Sequence, residues 1–255
     1  MNMGVNMTKE ELFKKLKEYT YQLLKEHNLL EEVVSINAKG LSKEEAIGRT
    51  KRKDYPILTG KEVMMCATLD GVKGQAFTAY PSQFQGTMKE LLDIDLATDE
   101  YGRGLFIAAL NALSAKLGIV DRTVHCKNAG PEECAIKLRE YLNQNFRIKK
   151  IALVGYQPAM IHSLASTYLL RVLDLNQKNI GTEIEGIRIE DGNRDFVEVI
   201  EWAELILCTG STLCNGTIVD YLKLDKRVLF YGTTLAGAAP CLLAERVCFT
   251  EESCI

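Results

Sequence analysis

From Ile148 onward the chain repeats one rhythm, a short apolar run followed by a longer amphipathic stretch. The runs "KKIALVGY", "VLDLN", "ELILCTG" and "RVLFYGTTL" alternate with "PAMIHSLASTYLLR", "NRDFVEVIEWA" and "GTIVDYLKL". Short continuous apolar strands separated by helical segments are buried on both faces, which is the signature of a parallel sheet covered by helices. In such a sheet ligands bind beyond the carboxyl ends of the strands, so the loops leaving those ends become the first place to look for function.

Ahead of this rhythm the pattern differs. Leu12, Leu16, Tyr19, Leu23 and Leu24 recur at helical spacing, and Glu11 stands three residues beyond Thr8 as in a capping box, so the spacing predicts a helix from Thr8 to about Glu32. "EVMMCATLDGVKGQAFTAYP" reads as two strands turning at Asp70-Gly71. "TMKELLDI" and "GLFIAALNALSAKLG" read as helices, the second closed by Gly118, and "GPEECAIKLREYLNQNF" as a third with Pro131 in its first turn. Strands followed by helices make this half α+β. The change of rhythm lies between residues 120 and 147, and the division adopted is residues 1–122 followed by residues 123–255.

Charge narrows the partners. With 31 basic and 34 acidic residues the net charge is -3, which offers no basic field for nucleic acid or an anionic membrane. No apolar run reaches the roughly eighteen residues of a membrane span, and the start "MNMGVNMTKEELFKKLKEY" carries charges where a secretory signal needs an apolar core, so a cytoplasmic protein is expected. The eight cysteines, at 66, 126, 134, 208, 214, 241, 248 and 254, lack zinc-knuckle spacing, and several sit in apolar runs. They read as buried thiols, except Cys214 inside a glycine-rich loop.

Three loops leave predicted strands at the ligand-binding edge: "GYQP" from Gly155, "TGSTLCNGT" from Thr209 and "YGTTLAGAAP" from Tyr231. The last two share Gly-Ser/Thr-Thr-Leu. Glycine lets a backbone approach a ligand closely, and hydroxyls with free amides hold anionic or oxygen-rich groups, so the pair reads as a polar shelf; tight turns and caps are the alternative reading. Gly155 alone lacks the three-glycine dinucleotide spacing, although Asp174 lies where an acid could take a ribose hydroxyl, and neither loop is a Walker loop. Glu62, which follows Lys61 ahead of a strand, His162 and Cys214 are candidate catalytic, metal or proton-handling groups. His125 and Cys126, with Cys134 nearby, form a pair without a partner at metal-ligand spacing. Asn111, inside an apolar helix, needs partners and must brace a loop or reach the cleft.

Through "GTMKELL", "AALNA", "ALVGYQP", "TGSTLCNGT" and "YGTTLAGAAP" the chain resembles the heavy-metal chelatase family, from about residue 30 to the end. The resemblance implies an α/β fold in which an α+β domain like the amino-terminal domain of enolase precedes a Rossmann-like parallel-sheet domain, with the site between them. It carries over a set of ligand-binding positions: Gly155, Tyr156 and Pro158, then Gly210, Ser211, Thr212, Asn215, Gly216 and Thr217, then Gly232, Thr233, Thr234 and Gly237. The expected function is binding of a small anionic or metal-chelating ligand in the interdomain cleft, with a heavy or transition metal ion as its cargo. Two other readings stand beside it, a nucleotide- or S-adenosylmethionine-dependent enzyme or sensor using Asp174, and a non-enzymatic assembly protein. The apolar face of the first helix offers a surface for a homodimer.

Overall fold

The computed structural model describes residues 6–30, 35–60 and 62–249, with the backbone alone for residues 35–38. Lys61 and Cys254, both singled out above, lie outside the described residues. Helix α1 (Lys9–Glu26) begins at a complete capping box: Thr8 N–H donates to Glu11 Oε2 at 2.7 Å, and Glu11 N–H to Thr8 Oγ1 at 3.2 Å. The apolar face of α1, with Leu12, Phe13, Leu16, Leu23 and Leu24, is buried inside this same chain, so that face is not open to a second copy.

Strands β1 (Ser35–Gly40), β2 (Val63–Leu69), β3 (Val72–Thr78) and β4 (Phe84–Thr87) form an antiparallel sheet in the order β3-β2-β1-β4, with short helices α2 (Lys43–Ile47) and α3 (Pro56–Thr59) between β1 and β2. Leu69 pairs with Val72 across Asp70 and Gly71, whose φ values of 48° and 82° are those of a two-residue hairpin turn, as Asp-Gly predicts. After α4 (Met88–Asp93) comes α5 (Glu100–Lys116), which starts earlier than its apolar core suggests because Asp99 Oδ1 accepts Gly102 N–H at 2.9 Å. Every residue of α5 from Gly102 to Ser114 is buried. A helix apolar all round must be covered all round: one side lies on β2 and β3, where a Cβ at Gly74 would collide with the backbone of Ala112, and another meets the second sheet's loops.

The second half contains α6 (Gly130–Asn145), β5 (Lys150–Val154), α7 (Pro158–Ala165), β6 (Leu169–Asp174), β7 (Glu183–Ile184), β8 (Ile187–Asp191), α8 (Phe196–Trp202), β9 (Leu205–Thr209), α9 (Thr212–Asn215), α10 (Ile218–Leu222), β10 (Val228–Tyr231), α11 (Ala239–Leu242) and β11 (Arg246–Val247). Its seven strands run in the order β11-β10-β9-β5-β6-β8-β7, all parallel except the β7–β8 hairpin. Two details depart from expectation. The helix expected through Arg171 stops at Ala165, because "LLR" joins β6 and buries Leu170 beside Val172 and Leu173. The β7–β8 hairpin turns at Glu185-Gly186, with φ of 52° and 73°, a pair that carries a weaker turn signal than Asp-Gly.

Residues alternate between the sheet's two faces. Ala152, Val154, Ile206, Cys208 and Phe230 join the core that contains α1 and α5, while Ile151, Leu153, Leu205, Leu207 and Leu229 join the core under α6 and α7. Among the described helices, none is long and apolar enough to cross a membrane.

Candidate functional site

Strand order sets the position of the site. From β5 the chain proceeds through β6 to β8 on one side, whereas β9, β10 and β11 proceed on the other, so the connections diverge between β5 and β9. A crevice opens at such a switch point. There Gly155 has φ of 94°, and a Cβ on it would lie 2.9 Å from Thr209 Cγ2 and 3.1 Å from Tyr231 Oη. Tyr231 Oη donates to the Val154 carbonyl at 2.9 Å, and burial pushes its pKa up. Gly210 N–H donates to the Tyr231 carbonyl at 2.9 Å, and a Cβ on Gly210 would lie 2.9 Å from Leu235 N. The first of the two similar loops therefore leans at Gly210 on Tyr231 and Leu235 of the second.

Helix α5 holds the second loop from behind. Asn111 Nδ2 donates to the carbonyls of Gln75 at 2.8 Å and of Thr233 and Thr234 at 3.1 Å each, while Asn111 Oδ1 accepts Gly237 N–H at 2.6 Å. Thr234 Oγ1 accepts Phe77 N–H at 3.0 Å, joining the loop to β3 as well. Of the two roles open to Asn111, the structure chooses bracing. Arg246 adds a third tie, with Nε donating to the Gly232 carbonyl at 2.9 Å and Nη2 to the Arg122 carbonyl at 2.6 Å.

These ties surround a cavity of about 180 Å³. The parallel sheet lines it with Gly155, Tyr156, Ser211, Gly232, Thr233 and Thr234; the first half contributes Tyr55, Ile57, Glu62, Met64 and Phe77. His125, Cys126, Cys134 and Cys248 complete the wall. The Cys134 and Cys248 thiols meet, and that contact together with burial raises the Cys248 pKa. Asp174 also borders the cavity, but Oδ2 accepts Tyr156 N–H at 2.7 Å and Oδ1 accepts Asn176 N–H at 2.6 Å; burial nonetheless raises its pKa. Glu62 Oε2 is shut away from solvent without a hydrogen-bond partner. Tyr55 is buried beside Glu132, and the burial and that neighbour raise its pKa. Among the described residues no three His, Cys, Asp or Glu side chains converge as a metal site.

Residues 140–245 match the family model DUF364, described as "Putative heavy-metal chelation". The match is a likeness of this segment, which is less than half of the chain. The crystal structure of a DUF364 protein of unknown function from Pyrococcus horikoshii is similar over 88% of this chain and 79% of its own, at 18% identity and a TM-score of 0.52, a likeness of fold. A second DUF364 protein of unknown function, from Desulfitobacterium hafniense, aligns over 69% of this chain and 71% of its own, at 14% identity and a TM-score of 0.43. A search of curated proteins finds no match. The mixed α/β fold, with its parallel-rich seven-stranded sheet and separate antiparallel sheet, agrees with the sequence reading at that level.

Within the matched segment, the residues carried over by resemblance divide into two groups. Gly155, Tyr156, Ser211, Gly232, Thr233 and Thr234 line the cavity, and so does Glu62 outside the segment. The others do not. Pro158 is buried in the first turn of α7. Thr212 is buried and donates to the Thr209 carbonyl at 2.8 Å, while Asn215 Oδ1 accepts Thr217 N–H at 2.9 Å and Thr217 Oγ1–H at 2.7 Å, so these three make the turns between β9 and α10. Gly210 packs on Leu235, Gly216 on Lys9, and Gly237 on Leu110 and Ser114 of α5. Cys214 is buried near Arg103, and its thiol is pushed up to about 12 by burial. His162 stands away from the cavity on α7, with Nδ1 at 2.7 Å from Glu185 Oε1. The first glycine-rich loop reaches the cavity with Thr209 and Ser211, the second with Tyr231, Gly232, Thr233 and Thr234. Tyr55, Met64 and Phe77 carry no sign in the sequence, and Cys248 reads there only as one of the buried thiols, because nothing in their spacing announces a cavity assembled from residues nearly two hundred positions apart.

Proposed function

We propose that this chain binds a small metal-chelating organic molecule in the switch-point cavity and handles a heavy or transition metal ion through that molecule. The observation that carries the reading is a cavity combining backbone and hydroxyls at Gly155, Ser211, Thr233 and Thr234 with an apolar wall, where no three described side chains converge on a metal. A site for the bare ion needs such a convergent ligand set. A site for an ion already held by an organic chelator needs close backbone approach, a few fixed polar groups and apolar surface. The family description supports the metal, and the division into residues 1–122 and 123–255 is proposed together with it, since both parts line the cavity.

The nucleotide reading is less favoured. Both Asp174 oxygens already accept backbone N–H groups, and about 180 Å³ is well below the roughly 300–1,000 Å³ of pockets that enclose drug-sized ligands. The test is native mass spectrometry with metal analysis on protein purified anaerobically from its own cells. The expected result is one metal ion and one organic molecule per chain, both lost in the double variant Ser211→Ala/Thr233→Ala. Metal retained with no organic molecule, or binding untouched in the double variant, overturns the proposal.

A further inference from the structure

Glu62 is the carboxylate of the cavity wall that the fold leaves unsatisfied. Its Oε2 is excluded from solvent and accepts no hydrogen bond among the described residues. Asp174, the other carboxylate of the wall, holds two backbone N–H groups, and Arg52 grips Asp54 through two hydrogen bonds at 3.0 and 2.7 Å; Glu132, beside Tyr55 but not in the wall, also has both oxygens buried without a hydrogen-bond partner among the described residues. The Glu62 carboxylate folds back over Gly60, where a Cβ would collide with it, so the missing side chain at residue 60 is what gives this orientation room. A half-desolvated carboxylate without a partner is costly, and a charge-assisted hydrogen bond from a cation removes that cost.

We propose that the molecule bound in this cavity presents a protonated amine, or an equivalent N–H donor, to Glu62. The inference rests on the reading of the cavity as a ligand site and narrows the ligand class. One end of the molecule donates to Glu62 beside Met64 and Phe77, and its oxygen-rich part lies against Ser211, Thr233 and the Gly155 turn. A volume of about 180 Å³, roughly that of six waters, suits a single substituted ring. A bare metal ion fits Glu62 less well, because no two further described acidic, Cys or His side chains converge with it.

Calorimetric titration of the full chain with 4-(aminomethyl)benzoate and 4-methylbenzoate tests this, using wild type, Glu62→Gln and Ser211→Ala/Thr233→Ala. Wild type is expected to bind the amine at least about tenfold more tightly than the methyl compound. Glu62→Gln should erase that preference, leave the methyl compound's affinity unchanged and melt no lower than wild type. Equal affinities in wild type, or a preference that survives Glu62→Gln, overturns the inference; weaker binding of both probes to Ser211→Ala/Thr233→Ala would still uphold the cavity as a site. Failure of both probes to bind wild type also overturns it, and the cavity reading is then decided separately by what co-purifies. Tight binding of Zn²⁺ alone, lost in Glu62→Gln, would make Glu62 a metal ligand and overturn the amine.

Discussion

Asn111 Oδ1 accepts Gly237 N–H at 2.6 Å from the middle of α5, and the amide nitrogen of the same side chain reaches three backbone carbonyls. One residue thereby fixes the loop that brings Thr233 and Thr234 to the cavity. Asn111→Ala leaves buried groups without partners at about 1–3 kcal/mol each, so a loss of about 3 kcal/mol and a fall in Tm of roughly 6–12 °C are expected. Asn111→Asp keeps the acceptor but turns a carboxylate toward three carbonyls. That repulsion raises the folded-state pKa of the new acid, so stability present at low pH is lost as pH rises through that value. Thermal melts at pH 5 and pH 8 check both: Asn111→Asp should fall further behind wild type at pH 8. An Asn111→Ala protein within about 0.5 kcal/mol of wild type would deny the bracing role.

Gly155 and Gly232 give a matched pair. Both have strongly positive φ, 94° and 91°, but a Cβ at Gly155 would press on Thr209 and Tyr231, whereas one at Gly232 meets open space. Backbone strain of about 1–3 kcal/mol applies to either alanine variant, and only Gly155→Ala adds a steric contact at the switch point. Gly155→Ala should therefore be the less stable by about 1 kcal/mol or more in urea melts. Equal losses would mean that Thr209 and Tyr231 yield freely.

Legibility in the sequence followed the range over which each signal acts. Local signals were readable: the Thr8–Glu11 capping box, the Asp70-Gly71 turn and the alternation of strands and helices after Ile148 all reappear in the structure. The glycine-rich loops were readable as strand-end loops, since Gly155, Ser211 and Thr233 do meet at one crevice. What each member of a loop does was not readable. Thr234 and Gly237 look alike as loop residues, yet Thr234 lines the cavity and bonds β3 while Gly237 serves close packing on α5. Cys214 drew attention by standing among glycines, but the turn that follows Thr212 carries it into the core, and the cavity instead receives Cys248 from beyond β11. Such long-range assignments depend on which loops the sheet order brings together, and no periodicity encodes that order.

Arg246 connects β11 to two distant places, the Gly232 carbonyl at the cavity and the carbonyls of Asp121, at 3.3 Å, and Arg122. Burial lowers its pKa without threatening its charge at neutral pH. Arg246→Met keeps much of the stem's packing but strands carbonyls that a guanidinium reaches in a fork, and a lysine offers one point of charge in its place. Both variants should lose about 1–3 kcal/mol, with lysine failing to restore more than half of the methionine loss. Because Gly232 lines the cavity, both should also weaken retention of the proposed ligand in native mass spectra. Full rescue by lysine would show that charge alone matters at this position.

Cys208 and Cys214 lie in the core, where burial pushes the Cys214 thiol up to about 12 and the Cys208 thiol higher still above its ordinary value. The thiolate is the reacting form, so at pH 8 only about one Cys214 in ten thousand is reactive even before access is considered. In native protein at pH 8, peptide mapping after iodoacetamide should find both residues unlabelled, and both labelled once urea unfolds the chain. Across pH 8 to 11 the residual rate at Cys214 should climb about tenfold per unit without a plateau, because every added unit lies below the raised pKa. If Cys214 instead reacts at pH 8 as fast as a free thiol in solution, the loop from Thr209 to Thr217 opens readily, and Cys214 returns as a candidate group for the proposed metal.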